Sequence, residues 1–367
     1  MQKKYLAAAV CAGLVLGLGA GMLPANMTPC PSAVVYAAKA QTLTVDATKA
    51  SHKNTYRTLG EALKAAKPGA VIQVMLGTYR EKVTVSVPDL TLVGQDAKTT
   101  TIVWNDSEGT PLRPGDTNGN NTTYKMQCAT FTVTKAAKNF QAVNLTFQND
   151  YPTEEGRAAG EKQVQAFALT DEAEASSFYG CRFLGRQDTL YANAGRQYYK
   201  DCYIEGDVDF IFGQASAAVF ENCNIHSLAR AVKEDGKSHG MGYVTAPSTL
   251  ATDKGFLFYQ CHLTGDVPAP HYAMLGRPWH PSSEKREVNS AAAFVYCQMD
   301  TRFKARGWNS MKNKFGVYQP QDNRLYEYKN TGKGAMKGEL RPQIADADAA
   351  NYTPAAYLGD WQPVKRA

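Results

Sequence analysis

Short runs of apolar residues alternating with polar ones follow each other along most of the chain, with Gly, Asn and Asp between them. This pattern predicts brief β-strands joined by tight turns. A first strand is expected at 42–46 and others at 71–75, 83–85 and 90–93. Residues 56–66, which include TLGEALKAA, have helical spacing and are expected to cap the open end of the strand assembly. The ADADAA run at 345–350 predicts a short C-terminal helix. Tail elements of this kind are expected to cover the unpaired strand edges at the far end. Two polar segments, 108–125 and 150–162, read as exposed loops.

A longer repeat lies beneath the alternation. Phe178, Cys181 and Phe183 recur as Tyr199, Cys202 and Ile204, and again as Phe220, Cys223 and Ile225. Later copies hold Phe258, Cys261 and Leu263, then Phe294, Cys297 and Met299. The form is aromatic-x-x-Cys-x-apolar. The first three cysteines are 21 residues apart, and the next gaps are 38 and 36. An earlier copy is expected at 140–145, with Val143 in the cysteine position. A fixed period in the twenties indicates a solenoid, and the leucine-rich L-x-x-L-x-L pattern is absent. The expected fold is therefore all-β: a right-handed parallel β-helix with a short N-terminal capping helix and C-terminal tail elements. The cysteines would stack on successive coils about 4.8 Å apart. That spacing allows a Cys202–Cys223 or Cys181–Cys202 disulfide, or a reduced internal stack, and both readings stay open.

Composition narrows the functional classes. The 367 residues carry 40 Lys and Arg against 34 Asp and Glu, a formal net charge of +6. So mild a positive balance suits an acidic ligand and is far from the basic stripe of a nucleic-acid binder. Lys3 and Lys4 precede an apolar stretch from Leu6 to about Leu23, and small residues follow at Ala37, Ala38 and Ala40. Residues 1–40 therefore read as a signal peptide cleaved at about 38–40, with an uncleaved anchor as the alternative. No later run of 18 apolar residues occurs, so 41–367 is expected to be one exported domain without a membrane span, secreted or periplasmic. Six cysteines lie beyond the signal, none in a C-x-x-C pair, and the six histidines form no short-range pair. A zinc knuckle, a dithiol redox site and a Ser–His triad all lack support.

The residues suited to chemistry are carboxylates, amides and one arginine. Asp188 lies seven residues after Cys181, and Asp209 seven after Cys202. A 21-residue coil would stack them as near neighbours. Paired carboxylates resist double ionisation, so one serves as an acid and the other as an anion. Gln165 and Gln187 fall near the same column and carry N–H donors suited to an oxyanion. Arg277 is expected to hold one carboxylate charged. Tyr191, Phe212 and Trp279 are candidate flat walls for sugar rings. Asp207 reads as a turn residue.

At these positions the sequence resembles the pectin methylesterase (pectinesterase) family. The markers are GTYRE at 77–81, QAFAL at 165–169, GRQDTLY at 185–191, DFIFG at 209–213, YVTAPST at 243–249, LGRPWHP at 275–281, Gly307-Trp308 and LGDWQP at 358–363. They span nearly all of the chain beyond the signal, and the loop lengths are closer to bacterial secreted members than to plant ones. The resemblance implies a parallel β-helix that removes methyl esters from pectin galacturonate, releasing methanol. It implies Asp209 as nucleophile, Asp188 as acid and then base, Gln187 and Gln165 as oxyanion donors, and Arg277 as partner of the nucleophile. Trp279, Tyr191 and Phe212 match groove aromatics, and Val208, Arg230, Tyr243 and Met311 fall in the same groove. A second Trp that often follows Gly307-Trp308 is replaced by nearby Met311. No metal or cofactor is implied, and a monomer acting on pectin is expected. A polygalacturonase, a calcium-dependent pectate lyase and a binding protein on the same solenoid are the alternative classes.

Overall fold

Each strand pairs with its counterpart about one coil away, in parallel and in register. Tyr199 faces Phe220, Ile204 faces Ile225 and Leu190 faces Ile211, each 21 residues on. Phe258 and Phe294 continue the first column across larger loops. The computed structural model describes residues 40–231 and 240–366. The expected signal peptide, apart from Ala40, lies outside them. The solenoid has three parallel sheets, of eleven, eight and seven strands. It is the parallel β-helix expected from the period.

The recurring motif has a structural reason at each position. Its aromatics stack through the interior: Phe178 on Tyr199 at 4.9 Å, Tyr199 on Phe220 at 4.7 Å, and Phe258 on Phe294 at 4.3 Å between ring centroids. The residue before each cysteine turns the chain from the first sheet to the second. Gly180, Asp201, Asn222, Gln260 and Tyr296 all have φ between 52° and 58°. Gly, Asp and Asn tolerate that region. Every one of these corner residues, Gln260 and Tyr296 included, donates its N–H to a carbonyl on the next coil, at 2.9–3.1 Å. The cysteine then points inward, and its apolar follower fills the next core position.

In this column the reduced stack, one of the two readings left open, is the one present, and one expectation is corrected. Cys202 and Cys223 are free thiols, as is Cys181. Stacking in register keeps the side chains parallel and turns each thiol toward a carbonyl. Cys202 Sγ lies 3.3 Å from the Lys200 oxygen, and Cys223 Sγ 3.4 Å from that of Tyr199. A disulfide needs the two side chains to turn toward each other through a near-perpendicular dihedral. The earlier copy is shifted. Ala142 pairs with Phe178, and the Arg182 N–H donates to the Leu145 carbonyl. Leu145, not Val143, therefore takes the cysteine position.

Both ends are closed. Helix Leu59–Ala65 buries Leu59 and Ala62 in the main core. Thr58 caps it, and the Glu81 carboxylate accepts from the N–H groups of Leu59 and Gly60 at 2.8 and 2.9 Å. At the other end, residues 329–344 run across the last strands, with Gly334 N–H on the Met299 carbonyl and Ile344 N–H on that of Glu327. The predicted C-terminal helix is a 3-10 turn, Asp346–Asn351, followed by helix Pro354–Leu358. Helix Pro354–Leu358 is not among the predicted elements, and the tail residues on the last strand's edge are those just before the 3-10 turn, where Gln343 bridges Glu327. The helix buries Tyr357 and Leu358 with Val219 and Leu257, on a cluster separate from the solenoid interior. The segment expected as a loop at 150–162 contains a helix, Thr153–Ala158.

Candidate active site

Asp188 and Asp209 stand where the chain enters the third sheet on two successive coils. Both adopt left-handed backbone, with φ of 63° and 51°, which is costly for a residue with a Cβ and is kept where the surroundings enforce it. The Asp188 N–H donates to the Val208 carbonyl at 3.0 Å, which ties the two coils together. Val208 thus supports the site through its backbone. The glycine closing DFIFG is needed for close packing: a Cβ on Gly213, where φ is 130°, would lie 2.1 Å from the Ala192 oxygen.

Arg277 follows strand Tyr272–Gly276 and meets Asp209. Its Nε lies 2.9 Å from Oδ1, and Nη2 donates to Oδ2. The guanidinium lies 4.1 Å from the centre of the Tyr243 ring, a cation–π contact that holds the charge in place. Asn309 in turn donates to the Tyr243 hydroxyl at 2.9 Å. Asp209 is 6% exposed. Asp188 is half-buried on the neighbouring coil. Burial, followed by the charge of Asp209, pushes its carboxyl well above the usual range, while Arg277 opposes the shift. The two neighbours therefore differ in surroundings: Asp209 has the Arg277 guanidinium, and at Asp188 burial and the adjacent charge favour the protonated form.

The two glutamines differ in how they are held. The Ala166 N–H donates to the Gln187 carbonyl, so Gln165 sits one coil before Gln187. The Gln187 Oε1 accepts from Arg157 Nη2 at 3.1 Å. The Gln165 Oε1 is buried and has no hydrogen-bond partner among the described residues. Asp207, expected as a turn residue, has a fully buried side chain. It accepts from Arg157 at 2.7 and 2.8 Å and from Arg186 Nε at 3.2 Å. Sequence reasoning missed Arg157 and this role of Asp207. It also missed Glu108, whose charge adds to the shift at Asp188.

The aromatics form a graded wall. Tyr191 and Phe212 are stacked at 4.4 Å, and Trp279 lies 5.7 Å from Phe212. Tyr191 and Trp279 are half-buried and line an open cavity of about 540 Å³ with Met126 and Lys314. Phe212 is only 3% exposed and packs on Phe167, so it backs the wall instead of facing the groove. Arg230 and Tyr243 line a second cavity of about 240 Å³ with Lys304 and Arg306. Met311 begins the antiparallel hairpin that pairs with Gly316–Tyr318 and lines neither cavity.

The site thus sets an arginine-paired carboxyl group, a second carboxyl group and two side-chain amides beside an aromatic-lined groove. This set fits acyl transfer from an ester on a polysaccharide. A family model described as Pectinesterase matches residues 45–360. Pectinesterase A of Dickeya chrysanthemi is 34% identical over 340 residues, covering 85% of this chain and 89% of that protein. Pectinesterase 31 of Arabidopsis thaliana is 31% identical, covering 78% and 82%. Among solved structures, a pectin methylesterase in complex with a hexasaccharide superposes with a TM-score of 0.79 at 32% identity, covering 89% of this chain and 100% of that one. The pectin methylesterase from Erwinia chrysanthemi gives 0.76 at 30% identity, covering 89% and 99%.

Proposed function

The chain belongs to the pectinesterase family, as an enzyme that hydrolyses the methyl esters of pectin, and from that premise we propose that Asp209 is its nucleophile and Asp188 its acid and base. The observation that carries this reading is the two-point Arg277–Asp209 pair on the coil next to Asp188, where burial favours the protonated carboxyl.

Asp209 attacks the carbonyl carbon of a galacturonate methyl ester. The carbonyl oxygen becomes an oxyanion, and the Gln187 and Gln165 amides donate to it. As the intermediate collapses, Asp188 gives its proton to the departing methoxide, and methanol leaves. An acyl–aspartate anhydride remains. Asp188, now a carboxylate, takes a proton from water, whose oxygen attacks the anhydride carbonyl and restores Asp209. The chain's own groups complete each proton transfer. Arg277 balances the charge of Asp209 before attack and after release. Tyr191 and Trp279 stack on sugar rings, while Arg230 and Tyr243 line the second cavity and Met311 has no part in either cavity. We further propose that the enzyme is exported as a monomer after loss of residues 1–40. Among the described residues no helix is long and apolar enough to cross a membrane.

The decisive experiment is methanol release from methylated pectin by Asp209→Ala. Turnover should fall on the order of 10⁴-fold with the melting temperature little changed. Near-normal turnover by a folded variant would overturn the assignment.

A further inference from the structure

An oxyanion donor works only if its N–H faces the substrate, yet a glutamine amide has two ends of nearly equal size. Nothing in the side chain itself decides which end points into the cleft. At Gln187 the decision lies behind it. Arg157 Nη2 is 3.1 Å from Oε1, and a guanidinium has donors and no acceptor. A flipped amide would set its NH₂ against those donors, so the carbonyl end must face Arg157 and the NH₂ end the cleft. Arg157 is itself held firmly. Its side chain is 16% exposed. It makes the two-point contact with buried Asp207 and a further one with Glu154. Asp207 lies two residues before the nucleophile and is also bound by Arg186.

We propose that Arg157 is a positioning residue that orients the Gln187 amide for the oxyanion, with the buried Asp207 carboxylate anchoring it. Helix Thr153–Ala158 serves to deliver this arginine to the back of the site. Gln165, whose Oε1 has no such partner, is left for the substrate to orient. This inference rests on Gln187 being an oxyanion donor.

The test is a double-mutant cycle read by kcat and KM on methylated pectin. Gln187→Ala should lower kcat by about 10²-fold, the loss typical of one oxyanion donor. Arg157→Met should lower kcat about tenfold, because the released amide loses both its fixed end and its fixed place against the oxyanion, and KM should stay within twofold. In the Gln187→Ala background, Arg157→Met should cost less than a further twofold. A purely structural role for Arg157 predicts the opposite, the full tenfold loss in both backgrounds, and that result would overturn the proposal. So would a wild-type kcat for Arg157→Met. If Gln187→Ala alone keeps wild-type kcat, the oxyanion reading itself fails, which separates the two claims. Should Arg157→Met not fold, Arg157→Met combined with Asp207→Asn removes the ion pair without leaving a buried charge, and the same cycle is read in that pair.

Discussion

A carboxyl group can serve as an acid near neutral pH only if something keeps its proton on. At Asp188 burial does most of this, Asp209 adds to it, and Glu108 adds a third contribution. Glu108 is itself pushed up to about 7 by burial, against the pull of Lys125. Its backbone ties it to the site, with its N–H on the Gln165 carbonyl at 2.8 Å. The sign follows directly. A negative Glu108 disfavours a second negative charge on Asp188, so removing it lets Asp188 lose its proton at lower pH. The acid that we propose for methanol departure then disappears sooner as pH rises. Glu108→Gln should therefore move the alkaline limb of kcat toward lower pH by about half a unit, as followed by methanol release at saturating pectin. A limb that stays in place, or moves up, would remove Glu108 from the site's electrostatics. The acid pair was legible in the sequence because one repeat length separates its members. Glu108 and Arg157 were not, because each comes from a segment read as an exposed loop. Their distance to the site is set by how those segments fold back, which no local pattern records.

At the level of the element, the aromatic-x-x-Cys unit is a corner with an aromatic on one side and a thiol on the other. Its period was readable because each position has the same steric task on every coil. Gln260 and Tyr296 keep the same corner geometry and the same N–H bond to the next coil as the Gly, Asp and Asn copies. The helix Thr153–Ala158 escaped notice because TEEGRA is short, contains Gly156 and has no side-chain N-cap. The thiol column makes a firm chemical prediction. Cys202 and Cys223 are 2% and 1% exposed, and burial drives both thiols up, well above the ordinary value. Thiolate is the reactive form, so both should resist an aromatic disulfide reagent in the native protein. In guanidinium without reductant, both should be labelled fully, as read by mass spectrometry of the peptides carrying each. Recovery of a linked 202–223 peptide would contradict the reduced column.

Across the whole molecule, a solenoid's stability is close to a sum of nearest-neighbour terms, so its ends decide how readily it frays. The coils that carry Asp188 and Asp209 lie in the middle of the sheet order and are paired on both sides. The last strand of the first sheet, Arg324–Tyr328, has one neighbouring strand, and on its other edge only a bridge from Glu327 to Gln343 in the chain that follows. The clasp there is an ion pair between Arg341 and Glu327, with Nε to Oε1 and Nη2 to Oε2 both at 2.6 Å. The two residues are 1% and 2% exposed, and Arg341 also donates to the Gly334 carbonyl at 2.8 Å. Replacing Arg341 with Met keeps the stem but strands a buried carboxylate, a loss that typically costs about 3–5 kcal/mol. That cost should fall on the last coil first. Hydrogen exchange should speed up in Arg324–Tyr328 and Ala291–Val295 while amides of Val208–Gly213 stay protected. Methanol release per folded molecule should stay at the wild-type value, since neither residue touches the acids or the amides. Equal loss of protection in all three strands would mean that the solenoid melts as one unit, and that the clasp stabilises the active site along with the end it closes.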